Sequence, residues 1–341
     1  MKLVRLLFVA FGLGAQDSTF DVQSRVVVIP VTVTDSKGRH VDGLERADFV
    51  LLDNGRPVKA NVDSFDTGVA PIELVVAVQS SGISAAALVK VQKIGSMIQP
   101  LVTGQRGCAA LVSFAERVEW LQECTSDQDL LARAFANLAP GEELSARMLD
   151  AVHEATKRLR ARRNARKVLL LVSESRDRDN ETDLDSAVLA VEAAGISVYA
   201  VTYSAFKTAF MARPSDVERP PKYKGPPNPA KEPQSPRAQE RTIPPADQRV
   251  DLLAGIGELV RLKKANTTEI LTSRTGGAVF AFHRQKGLED AIEKLGAELH
   301  SQYLLSFAPD VPGTGFHRVE VRVTRRGDFR VRSRPGYWAP Q

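Results

Sequence analysis

The side chains best placed to do chemistry in this sequence follow two runs of apolar residues. They are amide, hydroxyl and carboxylate groups: Gln79, Ser81 and Ser84 after the run 74–78, and Glu174 and Asp177 after the run 167–172. If both runs are parallel strands, these groups lie at the carboxyl ends of the strands, where open α/β sheets bind their ligands. We therefore expect the ligand-contacting surface there.

Sequence motifs of the common enzyme classes are missing. Gly255 and Gly257 are followed by Val260, where the dinucleotide-binding motif has its third glycine. His153-Glu154 lacks the second histidine of a zinc protease motif, and no Gly-Lys-Ser/Thr phosphate loop occurs in the sequence. We therefore expect a protein that binds a partner and is not an enzyme.

The elements that would position the polar residues alternate between strand and helix over residues 71–201. The continuous apolar runs at 74–78 and 167–172 are typical of strands that are covered on both faces. Further strands are predicted at 108–114, 118–124 and 196–201, and helices at 84–100, 147–163 and 187–194. The alternation resumes after residue 251. This order predicts a doubly wound, mostly parallel sheet with helices on both faces.

Both ends of the chain are predicted to be all-β. Residues 27–33 alternate in the manner of a strand, and Asn54-Gly55 is the preferred pair for a type I′ hairpin turn. Near the other end, residues 319–331 alternate around Arg326-Gly327-Asp328, which predicts a second hairpin. We expect residues 22–66 and 301–341 to form one small β-sandwich, with the α/β domain, residues 71–300, inserted in it.

Two segments are predicted to lie outside these domains. Residues 1–16 have basic residues, a short apolar run and small residues, which is the order of a signal peptide, with a buried first strand or helix as the alternative. Ten of the nineteen prolines lie between Pro214 and Pro245, so residues 212–249 are predicted to be a disordered insert. No other segment reaches the ~18 apolar residues of a membrane span. We expect an exported, periplasmic or extracellular protein.

The ordered set of motifs resembles a known family. The segments QSSGIS (79–84) and SESRD (173–177) resemble the strand-end loops of a von Willebrand factor A domain. The stretch VVVIPVTVTDSKGRHVDGLERADFVLLDNGRPVKANVDSF and the endings SQYLLSFAPD and FHRVEVRV are similar to VWFA-related domain proteins of the acidobacterial type. The resemblance covers nearly the whole chain after the leader, except the proline-rich insert.

The resemblance implies a metal-ion-dependent adhesion site, in which Asp-x-Ser-x-Ser, a Thr and a further Asp give oxygen ligands to Mg²⁺. In this chain the matching positions are Gln79, Ser81, Ile83 or Ser84, Ser145 or Ala146, and Glu174 or Asp177. Gln79 carries no charge and Ile83 no side-chain oxygen. We therefore expect a degenerate site with no metal or other cofactor; weak Mg²⁺ binding at Ser81 and Glu174 is the alternative.

The resemblance also implies a function, which is protein–protein or surface adhesion through the loops 79–84, 141–147 and 173–179. The alternative is a structural scaffold or envelope assembly factor that uses the sandwich and the arginines of the last hairpin. These arginines are expected on its solvent side: Arg318, Arg322, Arg330, Arg332 and Arg334. The net charge is only +5 and few aromatic residues accompany the basic ones, so nucleic acid is not expected as a partner. The sequence leaves the oligomeric state open.

The two cysteines are predicted to form a disulfide. A hairpin centred on Glu116 pairs residues whose numbers sum to 232, so that Cys108 faces Cys124 across the two strands. Disulfides persist in the compartments that a signal peptide leads to. The alternative is a pair of buried thiols, and a one-residue bulge would place the two sulfurs on opposite faces.

Overall fold

The computed structural model describes residues 26–63, 70–81, 84–162, 165–174, 179–204, 266–309 and 315–339. Several of the sequence predictions fall elsewhere in the chain. The signal peptide at 1–16, the insert at 212–249 and the side chains of Ile83 and Asp177 lie outside the described residues. These predictions stay predictions.

A six-stranded sheet forms the centre of the α/β domain. Its strands, with each pair of bounds, are β5 (Ile72–Gln79), β6 (Cys108–Phe114), β7 (Val118–Thr125), β8 (Arg166–Glu174), β9 (Ser197–Tyr203) and β10 (Val279–Ala281). Their order is β10-β9-β8-β5-β6-β7. All neighbours are parallel except β6 and β7. The apolar runs become strands because helices cover both faces, so that successive side chains are buried on opposite sides.

Helices cover the two faces of this sheet. The helical bounds are α1 (Ala85–Val91), α2 (Gly95–Ile98), α3 (Gln128–Ala136), α4 (Met148–Arg160), α5 (Leu184–Ala194), α6 (Thr267–Thr275) and α7 (Gln285–Ser301). One face of the sheet packs with α1, α2, α3 and α7, and the other packs with α4, α5 and α6. On β5 the side chains of Leu74 and Val76 enter the first core, while Val75 and Ala77 enter the second.

A β-sandwich is built from strands near both ends of the described chain. The early strands are β1 (Val27–Asp35), β2 (Phe49–Asp53), β3 (Arg56–Val58) and β4 (Asn61–Asp63), and the late ones are β11 (Tyr303–Phe307), β12 (Gly315–Val323), β13 (Phe329–Ser333) and β14 (Gly336–Ala339). They form two sheets, in the orders β13-β1-β11-β4 and β14-β12-β2-β3. A separate hydrophobic core lies between them. The predicted fold class, a doubly wound α/β domain with a sandwich from both chain ends, is confirmed.

The prediction of a hairpin across Arg326-Gly327-Asp328 is wrong. Strand β12 pairs with β2 and β14, whereas β13 pairs with β1, so the turn carries the chain from one sheet of the sandwich to the other. The alternation of residues is the same in both arrangements, and for that reason the sequence alone did not separate them. Gly336–Ala339, the partner that takes the place of β13 beside β12, was not predicted as a strand.

The change of sheet also corrects the prediction that all five late arginines face solvent. Arg318, Arg322 and Arg330 are exposed. Arg332 instead forms an ion pair with the buried Glu298 on α7 and donates to the Gly277 carbonyl. Arg334 donates to the Val28 carbonyl of β1, and its Nε atom is shielded from solvent. Strand β13 therefore lies against the α/β domain.

A buried polar network joins the sandwich to the α/β domain. The Tyr199 hydroxyl of β9 donates to Glu298 Oε1 at 2.7 Å, and the Gln302 amide donates to the hydroxyls of Tyr199 at 2.9 Å and Thr32 at 3.1 Å. Burial, together with the nearby Glu298 carboxylate, raises the pKa of Tyr199 well above its usual value. The phenol therefore stays protonated and acts as a hydrogen-bond donor.

Cys108 and Cys124 are joined by a disulfide with Cα atoms 5.4 Å apart. The register begins as predicted, with Phe114 opposite Val118 and Val112 opposite Trp120. The register then shifts twice, so that Leu111 is opposite Gln122 and Ala109 is opposite Thr125. The prediction that Cys108 lies directly opposite Cys124 is therefore wrong. One shift would place the cysteines on opposite faces, but two shifts return them to the same face, since side chains alternate with a period of two.

Candidate functional site

The strand order brings the predicted polar residues to one edge of the sheet. Strand β5 lies between β6 and β8. The chain first adds β6 and β7 on one side of β5, and then adds β8, β9 and β10 on its other side. Such a reversal opens a crevice at the carboxyl ends of the strands, where α/β sheets bind ligands. Gln79 ends β5 and Glu174 ends β8, so both side chains belong to this crevice.

Gln79 is the centre of the site and is almost fully buried, with 1% of its surface exposed. Its Nε2 atom donates to Ser81 Oγ at 2.8 Å, and its Oε1 atom accepts from the backbone N–H of Glu174 at 2.9 Å. One amide thus joins the loop after β5 to the end of β8. A carboxylate could accept the bond from Glu174 but could not donate to Ser81.

Ser81 and Ser84 continue the network toward β9. Their Oγ atoms lie 3.2 Å apart, and the Tyr203 hydroxyl donates to Ser84 Oγ at 2.7 Å. Burial raises the pKa of Tyr203, so its hydroxyl keeps its proton. With Tyr203 donating to Ser84, the hydrogen of Ser84 is available to Ser81, which also accepts from Gln79. The predictions at Gln79, Ser81 and Ser84 therefore fall on one network, and Tyr203 is a member that the sequence did not suggest.

Ser145 lies in a different part of the crevice. Its Oγ atom donates to Asp179 Oδ2 at 3.0 Å, in the segment that follows β8. Asp179 has a positive φ of 60°, a left-handed backbone that aspartate tolerates better than most residues. The structure thus brings Ser145 to the loop after β8, but to Asp179 and not to the serines after β5.

The loop at 179–182 is held by the start of α4. Asp150 accepts from the N–H groups of Glu181 at 3.1 Å and Thr182 at 2.8 Å, and Asn180 Oδ1 accepts from the Leu149 N–H at 2.8 Å. Burial alone would raise the pKa of Asp150, but the hydrogen bonds from Thr182 and Glu181 outweigh it and lower the pKa. The sequence reasoning missed these residues; a polar Asp150 on the first turn of a helix was the available signal.

Comparisons with known proteins give similarity of fold alone. The sequence matches no protein-family model and no curated protein. Similar solved structures include BatB from Bacteroides thetaiotaomicron, at 13% identity over 66% of this chain and 98% of that one, with a TM-score of 0.41. A von Willebrand factor type A protein from Catenulispora acidiphila has 9% identity over 88% and 76% of the chains, with a TM-score of 0.46. Proximal thread matrix protein 1 from the mussel byssus has 9% identity over 77% and 51%, with a TM-score of 0.44.

The topology of the sheet decides the class of the domain. If β5 to β10 are counted as strands 1 to 6 of the α/β domain, they lie in the sheet in the order 3-2-1-4-5-6. Only the edge strand β7 is antiparallel, and helices cover both faces of the sheet. This is the fold that the sequence resemblance implied. The chain contains a von Willebrand factor A-like domain. The narrower resemblance, to proteins of the acidobacterial type, stays a prediction.

The hydrogen bonds of the strand-end residues use oxygen lone pairs that a Mg²⁺ ion would need. Mg²⁺ requires oxygen ligands with lone pairs directed at the metal. Ser81 Oγ instead accepts the Gln79 amide, and the Gln79 Nε2 hydrogens would point positive charge toward an ion placed beside it. Ser84 Oγ accepts from Tyr203.

A possible metal-binding group lies elsewhere in the A domain. Among the described residues, Glu73, Cys108 and Cys124 bring three ligating atoms within 4.8 Å of one another. Glu73 and Cys108 begin β5 and β6, at the end of the sheet opposite to Gln79. Both sulfurs are taken up by the disulfide, and the Glu73 carboxylate pairs with Arg162 at 3.3 Å.

Proposed function

We propose that this protein is an exported, non-enzymatic module that binds a protein or envelope surface through the strand-end loops of its A domain without a metal ion. The observation that carries the proposal is the amide of Gln79, which makes the contacts that organise the crevice. Because these bonds are internal to the chain, they hold Gln79, Ser81 and the end of β8 in place before a partner arrives. Preorganisation of this kind reduces the entropy cost of binding.

The surface beside the crevice has the composition of a contact region. Leu144 exposes 57% of its surface between Glu143 and Ser145, and Ser145 is anchored through Asp179. A cleft of about 410 Å³ adjoins it, lined by residues that include Leu121, Pro140 and Glu142. An apolar anchor in a polar rim is the pattern that protein interfaces use. We infer that Leu144 enters a pocket on the partner.

Two features support export of the chain. The pattern at residues 1–16 resembles a signal peptide. The disulfide between Cys108 and Cys124 suits an oxidising compartment. None of the helices in the described part of the chain is both long and apolar enough to cross a membrane.

The scaffold alternative depends on the arginines of the sandwich. Arg332 and Arg334 point into the junction with the A domain, which leaves Arg318, Arg322 and Arg330 on the surface. Arg322 is already paired with Glu320 at 2.6 Å. The basic surface is therefore smaller than the sequence suggested, and we favour the strand-end loops.

The test is photo-crosslinking in the envelope of the host cell. A photoreactive amino acid replaces Leu144 in one variant and Leu189, an exposed leucine of α5, in the matched control. We expect one defined adduct at position 144, none at position 189, and no effect of a chelator on the yield. Equal labelling of both positions, or loss of the adduct in chelator, would contradict the proposal. A third variant carries the photoreactive amino acid in place of Arg330, and a defined adduct there but not at position 144 would favour the scaffold.

A further inference from the structure

A large cleft lies at the junction of the sandwich and the A domain, at the end of the sheet away from Gln79. Its volume is about 1160 Å³. Its walls come from β1, from the start of β8, from the end of α5 and from residues 334–338. The proposed adhesion surface uses none of these residues, so the cleft is a separate candidate site.

The charged groups lining the cleft are mostly cations. They are Arg160, Arg162, Arg166, Lys167 and Arg334, against the carboxylates of Asp63 and Glu192. Glu192 is already occupied, because Oε1 accepts from Arg274 at 2.7 Å and Oε2 accepts from the Trp338 indole at 3.1 Å. Arg162 is paired with Glu73. The cleft thus has an excess of positive charge that its own acids do not neutralise.

Three of the cations are partly buried and have no carboxylate within ion-pair distance in the described structure. Arg166 donates to Gln302 Oε1 at 2.7 Å, Lys167 to the Ala194 carbonyl at 3.3 Å, and Arg334 to the Val28 carbonyl at 2.6 Å. All three partners are neutral acceptors. The Arg334 Nε atom is shielded from solvent and has no hydrogen-bond partner among the described residues. A guanidinium in this state lacks the charge-assisted bonds that stabilise buried arginines.

Two of these cations converge on the carboxyl end of α5. Lys167 donates to the carbonyl of Ala194. Nη1 of Arg334 lies beside the adjoining Gly195, since a Cβ added to that glycine would be only 3.5 Å from it. The helix carbonyls offset part of the charge. Burial nevertheless lowers the pKa of Lys167 and lowers that of Arg334 to about 10, so the environment still disfavours two cations.

Accessible apolar side chains also line the cleft. Val26, Val28 and Trp338 line it, and they expose 60%, 40% and 38% of their surfaces. Exposed apolar side chains next to unneutralised cations match a ligand with an apolar body and an anionic group. We propose that the cleft binds a small organic anion, whose carboxylate or phosphate lies among Arg166, Lys167 and Arg334 and whose apolar part lies against Val28 and Trp338.

The experiment measures the melting temperature of the whole chain with four probes at equal ionic strength. Phenyl phosphate and phenylacetate carry both parts of the proposed ligand, inorganic phosphate carries the charge alone, and phenol carries the ring alone. We expect one of the two organic anions to raise Tm by about 3 °C or more at roughly tenfold excess over its Kd. The stronger of the two identifies the anionic group. Phosphate should give a smaller shift and phenol none.

Variants decide whether the shift arises in the cleft. Arg334→Gln keeps a donor for the Val28 carbonyl but removes the charge, and it should abolish the shift. The matched control is Arg330→Gln, an exposed arginine of β13 without hydrogen bonds in the described structure, and it should keep the shift. If Arg334→Gln does not fold, Lys167→Gln takes its place with the same expectation.

Three outcomes would overturn the proposal. They are the absence of any shift, equal shifts in the two arginine variants, and a shift with phosphate as large as that with either organic anion. Crosslinking at Leu144 is independent of all of these, so failure at the cleft leaves the adhesion proposal standing.

Discussion

At the scale of single residues, the site depends on the difference between an amide and a carboxylate. Gln79 donates through one end of its side chain and accepts through the other, and it therefore joins Ser81 to Glu174. Aspartate at this position could hold a cation but could not make both bonds. The sequence predicted which residues lie at the strand ends. It did not predict Tyr203, because the contact between β9 and Ser84 depends on the sheet order.

This arrangement predicts that divalent cations leave the stability of the protein unchanged. We expect Tm to move by less than about 1 °C between 5 mM Mg²⁺ or Mn²⁺ and chelator, because a bound ion at a hundredfold excess over Kd would add about 2.7 kcal/mol. Differential scanning calorimetry measures the shift. A rise of several degrees that disappears in Ser81→Ala would show that the serines do bind metal.

We expect the contribution of Asp150 to holding the loop at 179–182 to be sensitive to acid. Its folded pKa is lowered, so its contribution to stability is present above the unfolded pKa and is lost as the pH falls through the folded pKa. We expect Asp150→Asn to reduce the free energy of unfolding by about 1–2 kcal/mol at pH 7, and by much less below about pH 3. Urea unfolding across this range measures the difference.

The control for Asp150 is Asp328→Asn. Asp328 is exposed in the turn after β12 and has no hydrogen bonds in the described structure. The idea fails if both variants show the same pH dependence, or if the deficit of Asp150→Asn is as large at pH 3 as at pH 7.

At the scale of elements, the strands of the α/β domain were the most predictable part of the fold. The continuous apolar runs became β5 and β8, and residues 108–114 became β6 with the predicted bounds. Helix α3 was missed, although Leu131, Ala134 and Phe135 repeat at helical spacing. Asp127 also caps it, by accepting from the backbone N–H groups of Asp129 and Leu130. The partner of β12 could not be predicted, since alternation shows which face of a strand is buried and not which strand lies beside it.

The β6–β7 pair predicts a protein without thiols. When the thiols of unfolded, non-reduced protein from an oxidising compartment are counted, neither cysteine should react as a free thiol. Reduction should cost about 3 kcal/mol of stability on the chain-entropy model, for a sequence separation of 16 residues. Two titratable thiols per chain would rule the bridge out, and Cys108→Ser/Cys124→Ser should match the reduced protein in stability.

At the scale of the whole molecule, Glu298 connects the two parts of the structure. It accepts from Tyr199 on β9 and pairs with Arg332 on β13. Glu298→Ala leaves the partly exposed guanidinium of Arg332 and the buried hydroxyl of Tyr199 without their partner. We expect a loss of about 2–3 kcal/mol in the free energy of unfolding, because solvent screens part of the Arg332 charge. Glu298→Gln keeps an acceptor and should lose less.

The matched control for Glu298 is Glu293→Ala, an exposed glutamate of the same helix, with an expected change below about 0.5 kcal/mol. Chemical denaturation gives all three values. A loss for Glu298→Ala no larger than that for Glu293→Ala would mean that the network does not hold the two parts together.

The pairing of β1 with β11 and β13 has a consequence for the order of synthesis. Val28 and Arg334, which meet across the junction, are 306 positions apart in the chain. The A domain emerges completely from the ribosome while β1 still lacks both of its neighbours. An unpaired strand edge is prone to aggregate during that interval. Each newly made chain is therefore exposed to aggregation through β1 until residues 303–333 are available to pair with it.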